Sequence, residues 1–179
     1  MSATQAYRKT ALKALTNQIG VYALCDLDGT PIYVGQSTDG IRARVLRHLT
    51  SARSDIIANR QIDVWEIAYV WAWPVMDAGQ IDPLEATLFQ EFDQQLPLMN
   101  GKALALPDVA PPVPDRQVVQ VIEESDRLTR LDPSQRLPRQ IQQYSLLVDY
   151  ILNVKDAAHL KRSLNAHFDR LVRYHARFL

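Results

Sequence analysis

Two runs of strand-forming residues, 19–27 (IGVYALCDL) and 30–35 (TPIYVG), flank the dipeptide Asp28-Gly29. Asp-Gly between apolar runs is among the strongest local signals for a tight hairpin, because the turn needs a residue free to take positive φ. This hairpin limits what the chain can build, since it commits the N-terminal third to antiparallel pairing. Pro31 donates no amide hydrogen, which places it at the start of a strand or on an edge strand.

The residues around the hairpin extend the pattern. Residues 3–16 carry apolar positions at loose helical spacing and predict a short leading helix. After the polar loop 35–40, Ile41, Val45, Leu46 and Leu49 recur every three to four residues, and a basic helix carrying Arg42, Arg44, Arg47 and His48 is expected. Residues 62–75 alternate as a long strand, with Trp65, Ile67, Tyr69, Trp71 and Trp73 on one face. Both faces are mainly apolar, as in a central strand covered on both sides. In residues 82–92, Asp82 suits an N-cap and Pro83 the first helical position, with Leu84, Leu88, Phe89 and Phe92 along one side.

Beyond this point the pattern changes. Residues 103–115 contain four prolines and read as an extended linker. The rest shows no strand pattern. Ile141, Tyr144, Val148 and Ile151 form one amphipathic stripe, and Leu160, Leu164, Phe168 and Leu171 form another. The expected organisation is a first domain over 1–102, a proline-rich linker over 103–116 and a helical appendage over 117–179. The fold class is α+β: a small three-stranded antiparallel sheet flanked by helices.

Charge and cysteine content narrow the function classes. Lys plus Arg equals Asp plus Glu at 20 each, so net charge does not hold this chain on nucleic acid. The distribution is uneven. Arg42, Arg44, Arg47, Arg53 and Arg60 face only Asp55 over residues 42–60, whereas residues 61–100 hold seven acidic side chains and no Lys or Arg. The basic stretch is the expected phosphate-facing side. The single cysteine, Cys25, excludes an intrachain disulfide and a Cys-rich zinc site, and its apolar surroundings mark it as a core residue. No run of about 18 apolar residues exists, so a soluble, cytoplasmic chain with no membrane partner is expected. In the basic C-terminal stretch, His159, His167 and His175 recur every eight residues; they drift around a helix and read as surface positions. That helix is expected to clamp DNA or to join two copies as a homodimer.

Read in order, Gly20-Val21-Tyr22, Tyr33-Val34-Gly35, Arg44-x-x-x-His48, Leu84-Glu85-Ala86 and Pro97-Leu98-Met99-Asn100 resemble the GIY-YIG nuclease superfamily. The resemblance covers about the first 100 residues. It implies a DNA endonuclease dependent on a divalent metal, Mg²⁺ or Mn²⁺. It implies catalytic roles for Tyr22, Tyr33, Arg44, His48 and Glu85, with Glu85 as the metal ligand. Substrate contacts are expected from Gly35, Gln36, Arg42, Arg47 and Asn100. Gly40 looks like a one-residue insertion relative to many members, so Arg42 rivals Arg44 for the scissile phosphate. Asp82-x-x-Glu85 is also capping-box spacing, so Glu85 has two readings, metal ligand and cap. A cation beside Tyr22, from Arg44 or His48, would favour its phenolate. The alternative function is a catalytically inactive module of the same fold that binds DNA or protein.

Overall fold

The computed structural model describes residues 3–51 and 54–178. Four strands form one antiparallel sheet in the order β2-β1-β3-β4: β1 Gly20–Cys25, β2 Pro31–Ser37, β3 Tyr69–Pro74 and β4 Gln117–Gln120. The mixed α/β class agrees with the sequence reading, but the sheet has four strands rather than three. The extra strand comes from residues following the proline-rich stretch, where no strand was expected. The helices are α1 Ala3–Ala11, α2 Ile41–Thr50, α3 Asp55–Ala58, α4 Ile81–Gln95, α5 Glu124–Leu131, α6 Pro133–Asn153 and α7 Ala158–Phe178. Among the described residues, no helix is long and apolar enough to cross a membrane.

The hairpin forms as its turn residues require. The Asp26 carboxylate accepts the amides of Asp28 and Thr30, and Gly29 takes φ of 79°. Pro31 begins β2, an edge strand, where its missing donor costs no ladder bond. β1 and β3 are the inner strands, and alternation splits their side chains between two cores. Tyr22, Leu24, Val70 and Ala72 pack with Ile41, Val45 and Leu49 of α2. Val21, Ala23, Cys25 and Trp73 pack with Leu84, Leu88 and Phe89 of α4. Burying a side chain such as Phe89 is worth about 1.5–3 kcal/mol. The sheet therefore has α2 on one face and α4 on the other.

Two element boundaries differ from the sequence reading. β3 starts only at Tyr69, because the Asp63 carboxylate accepts the Trp65 amide and turns residues 64–66 into a 3₁₀ turn. α4 begins at Ile81, so Asp82 lies inside its first turn and is not the N-cap.

The C-terminal helices are bound into the molecule. Ala166 of α7 lies in the α2-side core. Arg162 donates to the carbonyls of Leu98 and Asn100, and Arg170 donates to those of Pro31 and Pro97. Arg136 of α6, only 2% exposed, sits among Asp26 at 3.5 Å, Asp28 at 2.6 Å and Glu66 at 3.2 Å. His167 is buried rather than on the surface, with its Nε2 2.8 Å from the Gln61 carbonyl. The buried face of α6 is Arg136, Gln143, Leu147 and Ile151, whereas Ile141, assigned above to an apolar stripe, is exposed.

Candidate active site

Of the sequence-predicted residues, Tyr22, Tyr33, Arg44 and His48 gather where β1 and β2 meet α2. Tyr22 on β1 lies opposite Gly35 on β2. A Cβ at Gly35 would sit 2.6 Å from the Tyr22 hydroxyl and 2.8 Å from the Tyr33 ring. Glycine at this position is what lets both rings lie over the strand. The Tyr22, Tyr33 and His48 rings form a triangle with centroid separations of 6.4, 5.9 and 6.1 Å.

α2 supplies the nitrogen groups. His48 is 3% exposed, and its Nε2 lies 2.8 Å from the Tyr22 hydroxyl. Its other ring nitrogen, Nδ1, lies 2.6 Å from the Ser54 hydroxyl. Arg44, one turn earlier, is close enough for its charge to act on Tyr22, while its buried Nε has no hydrogen-bond partner among the described residues. Arg42 points elsewhere: its Nε donates 2.6 Å to the Leu15 carbonyl. Geometry thus separates the two arginines, with Arg44 beside Tyr22 and Arg42 tying α2 to the segment before β1. Arg44 and exposed Arg47 line an open groove with Gln36, Ser37 and Gly40. Arg53 of the basic stretch lies outside the described residues.

From the other face of the sheet, α4 brings Glu85 to the β2 edge. The Gln36 amide donates 2.9 Å to Asp82 and lies near enough to Glu85 to act on its carboxyl. With Asp82 inside the helix, the capping-box geometry does not arise. Asn100 is buried, and its side chain is committed to backbone groups. It clamps the backbone of Val34, accepting its amide at 3.0 Å and donating to its carbonyl at 2.7 Å. Together with the Met99 amide bonded to the Ile32 carbonyl, this covers the outer edge of β2.

Burial dominates the electrostatics. The Tyr22 phenol is pushed above its ordinary value, first by desolvation and then by Tyr33, with Arg44 opposing. The cation therefore acts in the expected direction but does not prevail, and the phenol stays protonated at neutral pH. Tyr33 is pushed up to about 12 by burial and by the charge of Glu85. Burial, then Arg44, lowers His48 to about 4, so it is a neutral imidazole and not the cation expected beside Tyr22. Glu85 is raised to about 7 by burial and by Asp82. A carboxyl near pH 7 exchanges its proton within the neutral range.

Ser54 is the site residue that sequence reasoning missed. It follows α2 in a segment without periodicity, and a lone serine carries no signal there. No protein-family model, curated protein or solved structure matches the chain.

Proposed function

We propose that this chain is a divalent-metal-dependent DNA endonuclease of the GIY-YIG type. The observation that carries this reading is the convergence of Tyr22, Tyr33, Arg44 and His48 on one cluster, with Glu85 close enough that its charge shifts both phenols. These are the groups that phosphodiester hydrolysis needs.

Among the described residues, no three His, Cys, Asp or Glu side chains form a metal cage. Glu85 fits the alternative, a single carboxylate holding Mg²⁺ or Mn²⁺ whose other positions go to water and phosphate oxygens. Such an ion, when bound, offsets charge on the phosphoryl oxygens and lowers the pKa of water. Arg44, with its planar fork of donors, grips the scissile phosphate, and Arg47 meets the neighbouring backbone. Tyr22 and Tyr33 orient the attacking water. As the water oxygen bonds to phosphorus and the bond to the leaving oxygen breaks, the leaving oxygen takes a proton from solvent and the water proton passes to the Tyr22 oxygen. The Tyr22 proton moves in turn to Nε2 of neutral His48. No free phenolate is required, which accords with the raised phenol pKa.

The test is cleavage of plasmid or branched DNA with Mg²⁺ or Mn²⁺. Glu85→Ala and Tyr22→Phe are each expected to lower the rate at least about 100-fold, the usual scale for a lost transition-state contact. Undiminished cleavage by both variants rejects the site. The complete burial of Tyr22 favours a second reading, a non-catalytic binding module. That reading expects DNA or protein binding that is independent of metal and no cleavage at any pH.

Cutting both strands calls for two copies or two visits. The outer face of α6 and α7 exposes Ile141, Phe168 and Val172 beside a Tyr144–Phe168 ring contact, and this patch supports a homodimer through the C-terminal helices. Phe168→Asp is expected to turn a sedimenting dimer into a monomer.

A further inference from the structure

We infer that Ser54 is a positioning residue that fixes the tautomer of His48, leaving the Nε2 lone pair free to take the Tyr22 proton. The inference rests on the nuclease reading and goes one residue further out than the cluster that supports it.

Ser54 occupies the N-cap of α3, where a serine hydroxyl ordinarily accepts an amide of the first helical turn. It makes no such bond. Its Oγ instead lies 2.6 Å from His48 Nδ1, and the residue is 2% exposed. The Ile57 amide, which such a hydroxyl would accept, donates instead to the Ser54 carbonyl. The hydroxyl has therefore left its usual acceptor role at the helix and serves the histidine.

A neutral imidazole has one N–H and one lone pair. With Nδ1–H donated to Ser54 Oγ, Nε2 can only accept, and the hydroxyl 2.8 Å away is that of Tyr22. The Arg44 charge acts on the same phenol, and a guanidinium offers no acceptor, so the phenol hydrogen is directed away from it. The opposite tautomer would place Nε2–H against Tyr22 and remove the only lone pair available for the transfer. The arrangement parallels the second partner that orients a catalytic histidine in other enzymes.

The test uses the full-length chain and combines two readouts. Nitrogen-15 NMR of the His48 ring reports the tautomer, and steady-state DNA cleavage with Mg²⁺ reports kcat and KM across pH. Wild type is expected to carry the proton on Nδ1. Ser54→Ala is expected to mix the tautomers and to lower kcat about 10- to 100-fold, with KM and thermal midpoint little changed. Ser54→Thr, which keeps the hydroxyl, is expected to restore both readouts. A wild-type ring protonated on Nε2, or a Ser54→Ala variant with unchanged tautomer, overturns the inference. So does a kcat loss that Ser54→Thr fails to rescue while the ring signal returns to normal. If wild type does not cleave DNA under any metal, the nuclease reading fails, and the ring signals alone still decide whether Ser54 sets the tautomer.

Discussion

At Gly35 the absence of one carbon decides the site. The Tyr22 hydroxyl and ring carbon lie where a Cβ would be, 2.6 and 2.8 Å from it, and Tyr22 has no solvent to move into. Gly35→Ala is therefore expected to cost about 1–3 kcal/mol, the range for overpacking a filled core. It is also expected to reduce cleavage as far as Tyr22→Phe does. Urea midpoints and the plasmid assay check the two effects separately. His48 and His167, each lowered to about 4, give a prediction with a definite sign. Below about pH 6.5 the unfolded chain binds protons that the folded chain refuses. Their contribution to stability is full above that value and is lost as pH falls toward 4. The ring C–H resonances of both histidines in the folded protein should keep their neutral positions down to about pH 4. A midpoint near 6.5 would refute the burial argument. The residue types were legible in the sequence because each names its chemistry: phenols, a planar cation, an imidazole and a carboxyl. Partner choice was not legible. Only the Leu15 carbonyl shows that Arg42 is occupied, and only the Ser54 hydroxyl shows what holds His48.

At the level of elements, α2 shows how a loop oddity becomes a structural requirement. Gly40, which looked like an insertion, is the residue before the helix and takes φ of 117°. A Cβ there would lie 2.7 Å from the Asn17 side-chain oxygen. The first amides of α2 are satisfied from the segment before β1: Ile41 donates to Gln18, Arg42 to Thr16, and Ala43 to the Asn17 side chain at 3.2 Å. The cap thus comes from more than 20 residues away in sequence, and no local motif could announce it. Asn17→Ala is expected to cost about 1 kcal/mol. It should also raise hydrogen exchange in the first turn of α2 without affecting α4. The strands that were legible are those whose strand-forming runs flank a strong turn signal, β1 and β2. β4 is only four residues, QVVQ, and forms because β3 offers it an edge. β3 is shorter than its alternation suggests because Asp63 imposes a turn on residues of strand-like composition.

Over the whole molecule, the uneven charge acquires a different meaning. The helix of the basic C-terminal stretch was expected to clamp DNA or to join two copies of the chain. Within the chain, arginines of α6 and α7 meet the acidic run of residues 61–100: Arg139 pairs with Asp63, Arg136 with Glu66 and Arg162 with Asp93. Sequence shows charge blocks but not which block opposes which, so 117–179 read as an appendage although it closes the molecule. Arg162 is the clearest case. It holds the Leu98 and Asn100 carbonyls at 2.7 and 2.6 Å and Asp93 at 2.7 Å, while Asn100 in turn holds the amide of Val34 on β2. The edge of the strand carrying Tyr33 and Gly35 is thus held at second hand by α7. Arg162→Ala removes three hydrogen bonds of a charged donor from a partly exposed site, and a loss of about 2–3 kcal/mol is expected. Because Arg162 and Asn100 hold the same segment, their double-mutant cycle should show a coupling of at least about 0.5 kcal/mol. The distinguishing measurement is amide exchange: Arg162→Ala should accelerate exchange at Val34 while Ala23, on inner strand β1, stays protected. Unchanged protection at Val34 would mean that β2 keeps its edge without α7, and that the C-terminal helices stabilise the fold without reaching the site.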